Sequence, residues 1–136
     1  MKPVEEMFPH ALKAVEKCIA EPPENKTVKK VYNGYVSSFG ASIIQSGVVT
    51  AIANLEEETG GTEGDKKKIA NAILCILKEK SNRYGNNPEF NTLFKMALKF
   101  SKDKSFKADL TNAVIALKLA IRMFKLEEGD KKNGKN

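Results

Sequence analysis

The chain has 136 residues, of which 41% are apolar and 29% charged, an ordinary balance for one soluble domain with a modest core. Its net charge of +6 rests on lysine, with Arg83 and Arg122 the two arginines, and favours anionic partners such as nucleic acid. One histidine (His10) and two cysteines (Cys18, Cys75) without CxxC spacing supply too few ligands for a usual zinc site, and the acidic start MKPVEEMFPH is no secretory signal.

Phe8, Ala11, Leu12, Val15, Cys18 and Ile19 recur at helical spacing and predict a first helix that starts near Pro9 and stops at Pro22-Pro23. From Val31 to Leu55 no residue is charged. Asn33, Ser37, Ser38, Ser42, Gln45, Ser46, Thr50 and Asn54 make that run too polar to cross a membrane, and its apolar residues do not alternate as in a strand. Val28, Tyr32, Tyr35, Phe39 and Ile43, with Val36 and Ile44, predict a long second helix from about Asn25 or Thr27 to Gly47. There a residue with positive φ stops it. Val48, Ala51, Ile52 and Leu55 continue as a third. A helix without charge on any face is buried in its own domain or against a partner.

Thr59 to Gly64 predicts a flexible loop, and Asp65 a cap for a helix from Lys66 to Lys80 with Ile69, Ile73, Ile76 and Leu77 inward. Ser81 to Asn86 predicts a loop with Tyr84 exposed beside Arg83. Asn87-Pro88-Glu89 predicts a helix start that leads to Phe90, Leu93, Phe94, Ala97 and Leu98. The last helix is expected from about Phe106 to Leu126, with Leu110, Val114, Leu117, Ile121 and Phe124 inward. The expected fold is all-α, a compact bundle of about six helices in one domain over residues 1–128, with a disordered basic tail over 129–136. The two cysteines are expected as buried thiols.

The sequence offers little chemistry. Thr59-Gly60-Gly61-Thr62-Glu63-Gly64-Asp65-Lys66 lacks the strand and the Gly-Lys-Ser/Thr ending of a phosphate loop. The expectation is a protein without catalytic residues, metal or cofactor. The basic residues are more informative. Lys66, Lys67 and Lys68 stand in a first helical turn, where cations oppose the macrodipole unless an anion is near. Lys26, Lys29 and Lys30 precede the uncharged helix. Lys107, Lys118, Arg122 and Lys125 fall within about 60° on a regular helix of 100° per residue, a cationic row suited to a phosphate backbone. A helix-turn-helix regulator built on Gly47 is a weaker reading, since its recognition helix VVTAIANLEEE carries no cation.

The segment Ile44-Gln45-Ser46-Gly47-Val48-Val49-Thr50-Ala51-Ile52-Ala53-Asn54-Leu55, preceded by Lys29-Lys30-Val31-Tyr32 and Tyr35, resembles the small subunit of the Cmr complex, the type III-B CRISPR effector that targets RNA. Gly47, Ala51, Ile52 and Ala53 fit the family's Gly-Leu-x-x-Ala-Leu-Ala-Phe pattern. Val48 replaces its leucine and Asn54 its aromatic, and the last helix lacks the tryptophan often found there. The resemblance implies a non-catalytic cytoplasmic subunit in antiviral defence. Its partners would be other Cmr effector subunits, further copies of itself, and the guide RNA and target RNA through backbone contacts, with no membrane involved. It supplies no residue-level RNA motif, so the ten basic residues named above rest on charge geometry. A helical adaptor that binds only protein is the remaining reading.

Overall fold

Apolar side chains spaced three and four apart can leave water only by turning one helical stripe inward, and this chain does so repeatedly. The computed structural model describes residues 3–22, 24, 26–57 and 65–127. In chain order these form α1 (Pro3–Cys18), β1 (Thr27–Lys29), α2 (Val31–Ser46), α3 (Val48–Glu56), α4 (Lys66–Lys80), α5 (Asn82–Gly85), α6 (Leu93–Phe100), α7 (Lys104–Ile121) and β2 (Lys125–Glu127). The fold is the expected helical bundle, with seven helices in place of about six and one unexpected pair of short strands among the described residues. The loop expected over 59–64 and the tail expected over 129–136 lie outside the described residues.

Helices α1, α4 and α7 pack on one another and form the centre. Met7, Ala11 and Val15 of α1, Ile69, Ile73, Ile76 and Leu77 of α4, and Phe106, Leu110, Leu117 and Ile121 of α7 are fully buried there. Each large side chain contributes about 1.5–3 kcal/mol relative to exposure. α2 lies against α7 and α4, and α3 packs against α6 and α4. Among the described residues no polar or charged residue apart from tyrosine is fully buried, and no helix is long and apolar enough to cross a membrane.

Several boundaries differ from expectation. α1 begins at Pro3 and holds the exposed Pro9 inside it. An interior proline costs about 3 kcal/mol or more, which burial of Met7 and partial burial of Val4 and Phe8 offsets. α2 starts at Val31, because Thr27–Lys29 is taken by a strand parallel to Lys125–Glu127, with Val28 opposite Leu126. α7 ends at Ile121. The amides of Met123 and Phe124 bond to carbonyls only three residues back, a tightening that closes the helix. The turn expected at Ser81–Asn86 contains the short helix α5, capped by Ser81. Asn87 accepts from the Glu89 amide at 2.9 Å in a turn of its own, and the true cap of α6 is Thr92.

Tyr84, expected at the surface, is fully buried. It sits edge-on to Phe100 and Phe106, and its hydroxyl donates to Asp109. Arg83 covers this cluster, with its guanidinium 4.4 Å from the Phe100 ring and paired with Asp103. Ile44, expected to widen the inward stripe of α2, is 83% exposed.

Candidate nucleic-acid interface

The uncharged helix α2 organises the basic surface. Tyr32, Val36, Phe39 and Ile43 point inward. Gly34, Ser37, Ser38 and Ala41 therefore face out, and all four are exposed, small and neutral. No side chain caps the N-terminus of α2, so its first amides retain partial positive charge.

Cations stand on both flanks of that face. On one side the α4 terminus is tied to α2, where the Asp65 amide donates to the Tyr32 hydroxyl at 3.0 Å. The Asp65 carboxylate accepts from the Lys67 amide at 2.9 Å and offsets three lysines in a first turn. Lys66 reaches over the Tyr35 ring at 5.6 Å, a cation–π contact. Lys66, Lys67 and Lys68 are all half-buried. Between Lys66 and the α2 face runs a groove of about 230 Å³ lined by Tyr35, Ser38, Ser42 and Asn54. On the other side the Lys118 ammonium donates to the Ser37 hydroxyl at 2.6 Å. A second groove of about 350 Å³, lined by Ser37, Gly40, Lys118 and Arg122, opens there.

The strand pair supplies the third group. Thr27 is in register with Lys125, the Lys125 amide donates to the Lys26 carbonyl at 3.3 Å, and the Lys30 amide donates to the Glu127 carbonyl at 2.6 Å. Lys26, Lys29, Lys30 and Lys125 thus meet beside the start of α2, with Glu127 across from Lys29. The four-residue cationic row expected on the last helix does not form. Arg122 is the cap residue just past the end of α7, and Lys125 belongs to β2. Lys107 lies eleven residues before Lys118 on α7, about 16 Å along the axis at 1.5 Å per residue, and stands apart from the rest.

Other groups with shifted acidity support the fold. The Ser105 hydroxyl hydrogen bond, with the Phe106 and Ser105 amides and Arg83, lowers the Asp103 carboxyl to about 2. Burial raises Glu56, opposed by the Phe94 amide that it caps at 3.2 Å. Among the described residues no group of three or more His, Cys, Asp or Glu is placed to hold a metal. His10 lines a groove with Cys75 and joins no such group.

The Lys66–Tyr35 and Lys118–Ser37 links are not legible in the sequence. Both join residues more than thirty positions apart, and helical spacing carries no signal at that range.

A small all-helical domain with a neutral helix face between lysine-rich flanks defines the class, a compact basic helical protein. The sequence profile of the CRISPR-associated protein (Cas_Cmr5) family matches residues 5–124, and the chain belongs to that family. Its membership places it with the small subunits of the type III-B Cmr effector. No curated protein and no solved structure shows significant similarity to it.

Proposed function

We propose that the chain is a non-catalytic small subunit of a cytoplasmic RNA-guided Cmr effector in antiviral defence. It stacks along the complex and holds guide and target RNA by their backbones. The observation that carries this reading is the convergence of Lys66 on one flank of α2, Lys118 and Arg122 on the other, and Lys26, Lys30 and Lys125 at its end. Small side chains at Gly34, Ser37, Ser38 and Ala41 let a phosphate backbone approach between them. Such contacts position RNA without reading its sequence. The helix-turn-helix alternative has no support at α3 and its C-terminal cap, where the exposed residues Thr50, Ala53, Asn54 and Glu57 include no cation.

Contact with other subunits is supported by an apolar surface that adjoins the second groove, with Leu119 and Arg122 lining both. Ile115, Leu119 and Met123 recur every fourth residue and are 44%, 41% and 67% exposed. Val4 and Phe8 join Leu119 and Met123 around a groove of about 500 Å³. Exposed apolar patches of this kind mark protein contacts.

The test is RNA binding by the full chain as a function of salt. Neutralising Lys66, Lys118 and Arg122 to alanine together is expected to flatten the log K against log[salt] slope by about 2, near 0.7 for each single-strand phosphate that is no longer neutralised. An unchanged slope would assign the lysines to solubility and leave a protein-only adaptor.

A further inference from the structure

The sequence predicts buried thiols at Cys18 and Cys75 and does not place them relative to each other. The structure brings them together. Cys18 is the last residue of α1 and Cys75 lies in the middle of α4, the two helices packed side by side. Both are half-buried, and the Cys18 thiol hydrogen-bonds to the Cys75 sulfur. Cys75 also opens to solvent through a groove of about 440 Å³ lined by His10, Lys13 and Lys17 of α1 and Lys78 and Glu79 of α4. Three lysines and one acid surround its mouth. This is the microenvironment of a reactive cysteine and not of an inert core thiol.

We propose that Cys75 and Cys18 form a dithiol site that exchanges with anionic low-molecular-weight disulfides, the carboxylates of which meet Lys13, Lys17 and Lys78. The hydrogen bond from Cys18, then Lys17 and Lys78, favours the Cys75 thiolate against the opposing effect of burial and Glu79. The same pairing, with burial, keeps the proton on Cys18. Cys75 lines the groove and Cys18 does not, so Cys75 is the attacking sulfur and Cys18 the resolving one. The Cys75 thiolate attacks one sulfur of R–S–S–R, forms a mixed disulfide and releases one thiolate RS⁻. Cys18 then loses its proton to water and attacks the Cys75 sulfur, expelling the second RS⁻. Both leaving thiolates take up protons from solvent. Two electrons pass from the protein dithiol to the small disulfide, and α1 becomes covalently tied to α4.

This site is independent of the RNA surface. The test is to incubate the reduced full chain with oxidised glutathione at neutral pH and follow intact mass and alkylatable thiols. The wild type is expected to lose two hydrogens and both alkylatable thiols, with a Cys18–Cys75 cross-linked peptide after digestion. Cys18→Ser is expected to stop at a stable glutathione adduct on Cys75. Cys75→Ser is expected to react at least about tenfold more slowly at Cys18. Two thiols that stay alkylatable in the wild type, disulfides that form only between molecules, or equal rates in the two variants would each overturn the proposal. The wild-type result does not depend on any variant folding.

Discussion

Gly47 joins α2 to α3 at φ 90° and ψ 165°, a region essentially closed to residues with a Cβ. Replacing it with alanine brings no collision with the rest of the fold, since no atom beyond Gly47 and its two chain neighbours lies within 4 Å of the added carbon. The effect is therefore confined to the backbone. Holding alanine there costs about 1–3 kcal/mol, and the reduced freedom of the unfolded chain returns about 0.4–1 kcal/mol. Taken together these give Gly47→Ala a net destabilisation of about 1–2 kcal/mol. Gly34 is the control. It lies inside α2, is exposed, and likewise has no atom within 4 Å of its would-be Cβ. Gly34→Ala is expected to gain about 0.8–1 kcal/mol of helix propensity. The two substitutions, identical in chemistry, should thus move stability in opposite directions. Urea unfolding followed by far-ultraviolet circular dichroism, with an unchanged m-value, measures both. At about 3–5 °C per kcal/mol for a domain of this size, their melting temperatures should differ by roughly 10 °C. A neutral or stabilising Gly47→Ala would mean that α2 and α3 are one continuous helix, and the outward face of α2 would have to be redrawn.

Three further outcomes are expected. Tyr84→Phe keeps the ring packing but removes the hydroxyl that donates to Asp109. Unfolding should show a destabilisation of about 1.5–2 kcal/mol, within the range for hydrogen bonds to charged groups, and no change would place the hydroxyl in water. Asp103 caps α7 with its carboxyl lowered from 3.8 to about 2. A depressed acid stabilises above its unfolded value, so the stability gap between wild type and Asp103→Asn should be full well above 3.8 and shrink as pH falls towards 2. A gap that is constant over that window would exclude the charged cap. Ser38→Glu with Ser42→Glu places charge on the neutral α2 flank and its groove. RNA binding by the full chain should weaken with folding intact, since carboxylates there repel phosphates, and unchanged binding would remove this face from the RNA surface.

The helices are legible in the sequence where their stripes are long. Ile69, Ile73, Ile76 and Leu77, and Leu110, Val114, Leu117 and Ile121, read as inward faces and are buried. Asp65 reads as a cap because capping is local chemistry, and it accepts from Lys67. Short and non-local features are not legible. Three-residue strands fall below any window in which alternation can be detected, and the β1–β2 pairing joins residues nearly a hundred positions apart. That pairing shortens α2 and takes Lys125 off the last helix. Tyr84 reads as a loop aromatic because α5 has four residues, too few to show a period. The Cys18–Cys75 contact and the two flanks of α2 depend on how helices pack, for which one sequence holds no record. The family resemblance is legible in Ile44–Leu55, and the profile match over residues 5–124 bears it out.

Whether this chain works on RNA within a larger effector is tested most directly by an affinity pull-down of the tagged protein from its native host at low salt, with co-purifying proteins identified and bound nucleic acid sequenced. Short RNAs with a shared repeat-derived end, together with larger effector subunits, are the expected result. Genomic DNA fragments without RNA, or protein partners without nucleic acid, would contradict the proposed role.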